Sequence, residues 1–356
     1  MEPLSAKLPD LASPARGKVR IRVITVRPRQ LNSRLRHQRG VALITILLIV
    51  VVAVLLGVSM SSAQNLAIHR TRYYLDQAQL RQYVIGGEEL ARQILFEDFL
   101  EAPTKDHLLE VWASQELTYE HEGGEIALRL VDLQSRFNLN NLLVGGLQRE
   151  RFTRLLSNIG VDAVYADRIV DWGDPDQVAS GAGAEDYAYL GLDRPYRAGN
   201  QGFHDVSELR MVLDMDAKTF SRLEPYVAAL PAPDVALNVN TANILMLQVL
   251  APQLTEDAAA NAVEQRIAVE GFNTVGDFYA AMGTPARTSN EGLGVQSSFF
   301  EINVTAHYQD RFGYLRSVVQ RNPVDGSLRV LRRSFSRALP ALVAPGTEDS
   351  DEAVDG

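Results

Sequence analysis

The sequence predicts an α+β protein in which a long N-terminal helix packs on an antiparallel sheet and a large all-helical insertion interrupts that sheet. Residues 41–60 form a run of twenty residues without a charge, and the helical pattern continues beyond it. Between residues 138 and 290 the apolar residues also recur at helical spacing. Four segments instead alternate apolar and polar residues as strands do, namely 125–133, 299–308, 314–321 and 328–335.

The charge of the chain is unevenly distributed. Residues 1–40 carry ten Lys or Arg and two acidic residues, which gives about +8, so the formal −9 of the whole chain leaves about −17 for residues 41–356. An acidic domain repels phosphate backbones, which argues against nucleic acid as a partner. The chain has no cysteine, so disulfides, thiolate-bound metals and thiol catalysis are excluded.

The apolar run predicts a membrane-spanning helix. At about 1.5 Å per residue, twenty residues reach about 30 Å, the thickness of the hydrocarbon core of a bilayer. A helix on the surface of a soluble domain keeps a polar stripe, and this run has none. Arg34, Arg36 and Arg39 precede it, which places that end in the cytoplasm and everything from Gln64 onward outside. The helix is expected to continue to about Leu100.

The start of the run resembles the cleavage site of type IV prepilins and pseudopilins, because Gly40 directly precedes Val41 and an aliphatic stretch. The resemblance implies that prepilin peptidase cuts after Gly40, and that Val41 becomes a methylated N-terminus while the helix through Met60 remains as the anchor. Thr45 stands at the fifth mature position, where most members have Glu. A carboxylate inside a bilayer is costly unless it is paired, and its usual partner in the family is the terminal amine of the preceding subunit. An uncharged Thr therefore suits a subunit at the tip of a fibre.

The whole stretch from Val41 to about Leu339 is similar to the type II secretion system protein K family, the large minor pseudopilins. The resemblance implies a non-enzymatic subunit of the bacterial inner membrane, single-pass, with its C-terminal domain in the periplasm. It also implies that the subunit caps the periplasmic pseudopilus and helps initiate its assembly for protein export across the outer membrane. The implied partners are the I- and J-type minor pseudopilins, the major pseudopilin and prepilin peptidase.

These inferences divide the chain into six expected segments. The leader of forty residues is longer than family leaders. Either translation starts at a downstream codon, or this leader is simply long. The segments are a cleaved basic cytoplasmic leader (1–40), the transmembrane helix (41–62), the periplasmic helix with the first strand of the pseudopilin domain (63–137), a helical insertion (138–294), the C-terminal strands of the pseudopilin domain (295–338) and a disordered acidic tail (339–356).

The insertion contains two similar halves. Asn138 and Asn140 open the first half and Asn238 and Asn240 open the second, and each half ends in a turn led by phenylalanine. Each half resembles a helix-hairpin-helix module, a unit that binds DNA backbones in other proteins. Because residues 250–254 lack the glycine-rich hairpin that such binding needs and the chain is acidic, we interpret the asparagines as helix caps and loop ties.

A loop rich in carboxylates is the candidate metal site. Five acidic residues fall within sixteen positions, and flexible oxygen-rich loops of this kind suit calcium, which takes six to eight oxygen ligands. The alternative interpretation is a solvated acidic loop that caps helices. The protein K family has a similar acidic segment associated with calcium, so the resemblance implies a structural ion, without which the carboxylates repel one another. The candidate ligands are Asp171, Asp174, Asp176, Glu185, Asp186 and Asn200.

Two other functions fit parts of the sequence. One is a pilin-like competence protein with a DNA-binding tip, which the acidic charge disfavours. The other is a membrane-anchored hydrolase that uses the carboxylates of residues 171–186. The six histidines are scattered, and the sequence contains neither a nucleophile elbow nor a P-loop, so no recognised enzyme motif supports the second function.

Overall fold

A computed structural model describes residues 39–113, 116–121, 123–250, 254–283 and 292–335. Most of the expected leader and the whole expected tail lie outside these residues. The helices are α1 Arg39–Glu101, α2 Leu147–Asn158, α3 Val164–Gly173, α4 Asp186–Leu190, α5 Ala217–Leu223, α6 Ile244–Gln248, α7 Glu256–Ala268 and α8 Val275–Ala281. The strands are β1 Leu117–His121, β2 Gly124–Asp132, β3 Phe137–Asn138, β4 Val227–Ala228, β5 Leu237–Asn238, β6 Leu293–Gly294, β7 Phe299–Tyr308, β8 Arg311–Arg321 and β9 Leu328–Ser334.

The chain separates into two compact units, Met1–His69 and Arg70–Gly356. The described part of the first unit is the beginning of α1. Its aliphatic side chains are exposed, for example Leu43 at 69% and Ile49 at 66%. By length and composition, α1 is the helix among the described residues that is able to cross a membrane. An apolar surface of this kind is stable only in a non-aqueous environment or against other apolar helices.

The second unit contains a five-stranded antiparallel sheet in the order β1-β2-β7-β8-β9. In its register Leu128 lies opposite Val304, and Val304 lies opposite Leu315, so these three side chains share one face. A register shift between Val318 and Val319 bends the pairing of β8 with β9. The sequence predicts four of these strands but misses β1, whose five residues are too few for an alternating pattern to stand out.

The part of α1 in the second unit packs on this face. Leu80, Val84, Ala91 and Leu95 follow one another at intervals of three to seven residues and are at most 2% exposed. Gly87 lies in the same row, and a Cβ placed there would come within 2.6 Å of a methyl group of Val304. The glycine therefore permits the close approach of helix and sheet, and α1 continues through it without a break.

The insertion lies between β2 and β7 and has its own apolar core. Its described residues form helices and connecting loops, with two parallel ladders of two residues each, β3 with β4 and β5 with β6. These ladders lie at the asparagine-rich entries, where the chain is extended before each set of helices begins. The core is formed mainly by large residues such as Phe152, Leu155, Ile169, Tyr189 and Phe278.

The two halves of the insertion use the same asparagine contact. The side-chain oxygen of Asn140 accepts from the N–H of Phe203 at 2.7 Å, and its amide donates to the carbonyl of Phe203 at 2.9 Å. Asn240 makes the equivalent pair with Phe272, at 2.8 and 3.0 Å. Both asparagines are buried, so each contact satisfies backbone groups that water cannot reach.

Candidate metal centre

The acidic loop is held between α3 and α4. Asp171 lies near the end of α3, residues 174–185 form the loop, and Asp186 begins α4. The loop passes so closely over α3 that a Cβ at Gly183 would lie 1.9 Å from a carboxylate oxygen of Asp171. Trp172 packs edge-on against Tyr189 at 5.3 Å and so fixes α3 against α4.

Three of the carboxylates converge. Asp174, Asp176 and Glu185 each offer one oxygen, and these oxygens lie within 4.8 Å of one another. Glu185 is fully buried, and within the described part of the chain neither of its carboxylate oxygens has a hydrogen-bond partner. Oδ1 of Asp174 is also buried and without a partner there. An unsatisfied buried group costs about 1–3 kcal/mol, and more when it is charged, so this arrangement favours binding of a further partner.

The electrostatics agree with that geometry. Burial, and then the negative charges of Asp171, Asp174 and Asp176, raise the pKa of Glu185 to about 7. Burial, followed by the charge of Asp176, also raises the pKa of Asp174 above its ordinary value. The site therefore favours any species that supplies positive charge to these oxygens.

The other three predicted ligands make different contacts. Both oxygens of Asp171 accept from the N–H of Ser180, at 3.0 and 3.1 Å, so this side chain shapes the loop. Asp186 pairs with Arg197 at 2.7 Å and accepts from the amide of Asn200 at 3.3 Å. The structure thus brings Asp174, Asp176 and Glu185 together, places Asp171 beside them, and joins Asp186 to Asn200.

The converging residues fit a calcium ion. The donor set consists of carboxylate oxygens, and Asp176 is exposed, which leaves room for water as a further ligand. Calcium accepts mono- or bidentate carboxylates on irregular loops, whereas magnesium requires near-octahedral geometry. Among the described residues, the buried and unpartnered oxygens of Glu185 are the observation that most favours a cation here.

A second acidic cluster was not predicted from the sequence. Asp98, Asp106 and Glu110 also bring carboxylate oxygens within 4.8 Å of one another. Here Arg321, which is 1% exposed, supplies the positive charge, since it pairs with Asp98 at 3.4 Å and with Asp106. Burial is the largest cause that raises the pKa values of Asp98 and Glu110, each to about 7. The three carboxylates lie within thirteen positions of one another, but Arg321 lies more than two hundred residues further along the chain, so no local motif indicates their pairing with it.

The predicted processing and membrane residues lie in the first unit. Gly40 and Val41 are in the first turn of α1, and the side chains of Val41 and Met60 are 62% and 64% exposed. The hydroxyl of Thr45 donates to the carbonyl of Ala42 at 2.9 Å, a bond within the helix. Its hydrogen-bonding capacity is therefore met locally.

Comparisons with known proteins bear on the same regions. Two family profiles, both described as type II secretion system protein K, match residues 135–232 and 237–296. A protein named type II secretion system protein K from Pseudomonas aeruginosa is 36% identical over 331 residues, which cover 88% of this chain and 98% of that protein. Its namesake from Klebsiella pneumoniae is 33% identical and covers 77% of this chain and 91% of that protein. The chain belongs to the type II secretion system protein K family.

A solved structure supports the fold as well as the family. The crystal structure of the GspK-GspI-GspJ complex from the type 2 secretion system of enterotoxigenic Escherichia coli contains a chain that aligns with a TM-score of 0.67 at 28% identity. The alignment covers 76% of this protein K chain and all of that one. The first family profile contains the whole candidate metal centre, and the second contains the half that begins at Asn238.

Proposed function

We propose that this chain, a minor pseudopilin of the type II secretion system, caps the tip of the periplasmic pseudopilus and helps initiate its assembly. Its proposed partners are the I- and J-type minor pseudopilins, with the major pseudopilin forming the fibre below them. The solved relative supports this proposal, because it is part of a complex of GspK, GspI and GspJ. The proposed role is structural rather than enzymatic.

Thr45 is the observation that carries the tip position. A carboxylate within the hydrocarbon core of a bilayer is costly unless a partner neutralises it. A subunit with no subunit above it has no neighbouring amine for that purpose. Thr45 avoids the cost, since its hydroxyl bonds to Ala42 of its own helix.

The insertion supports the same position. It occupies the chain between Asp132, where β2 ends, and Phe299, where β7 begins, and it has a core of its own. A domain of this size beside the sheet leaves little space for a further subunit stacked above it. The end of a fibre has no such restriction.

The processing and location follow from the first unit. We propose that prepilin peptidase cuts after Gly40, that Val41 becomes the methylated N-terminus, and that α1 then anchors the chain in the inner membrane. The unit Arg70–Gly356 then lies in the periplasm. The exposed aliphatic surface of residues 41–60 supports this proposal, because it requires lipid or the helices of sibling subunits.

We also propose a structural calcium ion bound by Asp174, Asp176 and Glu185. When bound, the ion supplies the positive charge that these carboxylates lack. Asp171 holds the loop through Ser180, and Asp186 holds the following segment through Arg197, so both residues orient the ligands. Neutralising the loop would stiffen the part of the insertion formed by α3 and α4.

The tip position is tested by export and co-purification in a strain that lacks the native gene. We expect the tagged chain, extracted in detergent, to bring down the I- and J-type minor pseudopilins even when the major pseudopilin is absent. Thr45→Glu should reduce export because the added carboxylate has no amine partner, whereas the uncharged control Thr45→Val should export normally. Failure to recover either sibling, or full export by Thr45→Glu, would contradict the proposal.

A further inference from the structure

A cleft of about 420 Å³ opens between the insertion and the face of the sheet that is turned away from α1. Its charged lining is mostly basic. The sheet contributes Arg129, Arg316 and Arg332, the insertion contributes Arg210, and Arg136 follows the short 3-10 helix that joins them. The acidic residues of the lining are Asp205, Glu224 and Glu301.

Most of the acidic charge in the cleft is already paired. Asp205 lies 3.5 Å from Arg316 and 2.6 Å from Arg332. Glu301 lies 3.5 Å from the same Arg316. Five arginines against three acidic residues leave the cleft with an excess of about two positive charges. This excess is unusual for a chain whose residues 41–356 carry about −17.

Three of the arginines have no ion-pair partner among the described residues, namely Arg129, Arg136 and Arg210. Arg129 and Arg210 are exposed, and the guanidinium of Arg210 lies 4.1 Å from the centre of the Phe220 ring. Arg136 is half-buried, and burial lowers its pKa below the ordinary value. Glu301, Glu224 and Asp132 act on Arg136 without forming an ion pair with it among the described residues, so an anionic ligand in direct contact with its partly desolvated guanidinium would be stabilised here.

The chain itself has an anionic segment of matching charge. Residues 344–356 contain five acidic residues and no basic one; the acidic residues are Glu348, Asp349, Asp351, Glu352 and Asp355. The described chain ends beside the cleft, since Ser334 at the end of β9 pairs with Arg316, which lines it. Twelve residues lie between Phe335 and Glu348, which makes thirteen steps along the chain. Such a tether spans about 43 Å when extended and about 20 Å on average when flexible.

We propose that the acidic segment 344–356 docks in this cleft, with its carboxylates paired to Arg129, Arg136 and Arg210. Because the segment is tethered, its effective concentration at the cleft is on the order of 1 mM. A weak electrostatic contact is then enough to keep the cleft occupied. A docked tail also excludes acidic segments of other proteins from the same arginines.

The test measures binding of a fluorescein-labelled peptide of residues 344–356 to the chain in detergent by fluorescence anisotropy at low salt. We expect a dissociation constant of about 10–100 µM for a chain that lacks residues 339–356. The full chain should bind the peptide at least about tenfold more weakly, because its own tail competes at an effective concentration of about 1 mM. A peptide with Asn and Gln in place of its five acidic residues should not bind.

Variants of the shortened chain locate the contact. The double variant R129Q/R210Q should weaken peptide binding at least about tenfold, because it removes two exposed, unpaired charges. R194Q is the matched control, since Arg194 is exposed but does not line the cleft. Thermal melting checks that all three proteins fold. Equal affinities of the full and shortened chains would indicate that a second molecule rather than the tail occupies the cleft, and would overturn the proposal. Equal binding by R129Q/R210Q and R194Q would overturn it as well.

Discussion

Replacing Glu185 by Gln separates the two interpretations of the acidic loop. Glu185 is fully buried, and both carboxylate oxygens lack a hydrogen-bond partner among the described residues. If calcium binds here, the substitution removes a ligand and should destabilise the chain only when calcium is present. If the loop is only a solvated cap, calcium should have no effect on either protein.

The magnitudes follow from the geometry. Ionised carboxylates whose oxygens lie within 4.8 Å of one another repel by about 3 kcal/mol or more at an effective dielectric constant of about 20. Glu185→Gln removes two of the three pairwise repulsions, so in chelator the variant should be at least as stable as wild type. Calcium at a hundredfold excess over its dissociation constant stabilises the wild-type chain by about 2.7 kcal/mol. For a domain of this size that raises the melting temperature by about 5–10 °C.

The assay is thermal unfolding of the chain in detergent, followed by circular dichroism, in calcium and in chelator. Fluorescence adds a local signal, because Trp172 is adjacent to Asp171 in α3 and packs on Tyr189. Asp193→Asn is the matched control, since Asp193 is an exposed carboxylate outside the converging set. The reasoning is refuted if the wild-type melting temperature is the same in calcium and chelator, or if Glu185→Gln keeps the wild-type calcium response.

Three further predictions concern the fold. Gly87→Ala should lower the free energy of unfolding by about 1–3 kcal/mol through overpacking against the sheet. At Gly86 a Cβ meets nothing within 4 Å, so Gly86→Ala should instead raise the free energy of unfolding by about 0.5–1 kcal/mol. Urea unfolding of both variants tests this, and equal stabilities would argue against the close approach of helix and sheet. Asn140→Ala should destabilise the chain by about 1–3 kcal/mol for each backbone group left unsatisfied. Asn158 is exposed, so the control Asn158→Ala should change stability by less than about 0.5 kcal/mol. Thermal unfolding compares the two variants, and similar melting temperatures would contradict the asparagine contact. Burial raises the pKa of Glu110 in the folded state to about 7, above its ordinary value of 4.5. The folded state therefore holds this proton more tightly than the unfolded state does, and the stability of the wild-type chain should fall as the pH rises from about 4.5 through about 7. Glu110→Gln should flatten that decline in urea unfolding measured across the same range, and an unchanged slope would show that the carboxyl titrates normally.

The elements with strong periodic patterns were predictable from the sequence. The uncharged run and the helical spacing after it predict α1, and the fold contains the long helix, antiparallel sheet and insertion that the patterns indicate. The predicted strand 299–308 has the bounds of β7, because its apolar residues alternate over ten positions between clear turns. The strand predicted at 125–133 instead ends at Asp132, whose side chain caps a 3-10 helix.

The roles of individual carboxylates and glycines were not predictable, because they depend on contacts between residues that are distant in the sequence. Five carboxylates close together in the sequence suggest one ligand set. Only the fold shows that Arg197 pairs with Asp186, whereas Glu185 is buried without a hydrogen-bond partner among the described residues. The pairing of Arg321 with Asp98 and Asp106 joins segments more than two hundred residues apart, so no spacing rule could identify it. The Gly86-Gly87 pair looks like a weak point in a helix, yet a Cβ at Gly87 would come within 2.6 Å of a methyl group of Val304, so this glycine allows the sheet to approach α1 closely.

The most direct test of the central claim is the intact N-terminal mass of the membrane-extracted protein from cells with and without prepilin peptidase. We expect a chain that begins at Val41, with one methyl group on its amine, only when the peptidase is present. An unprocessed N-terminus in both strains, or cleavage beyond Met60, would contradict the assignment of α1 as a pseudopilin anchor. The acidic loop would then have to be re-examined as a possible active site.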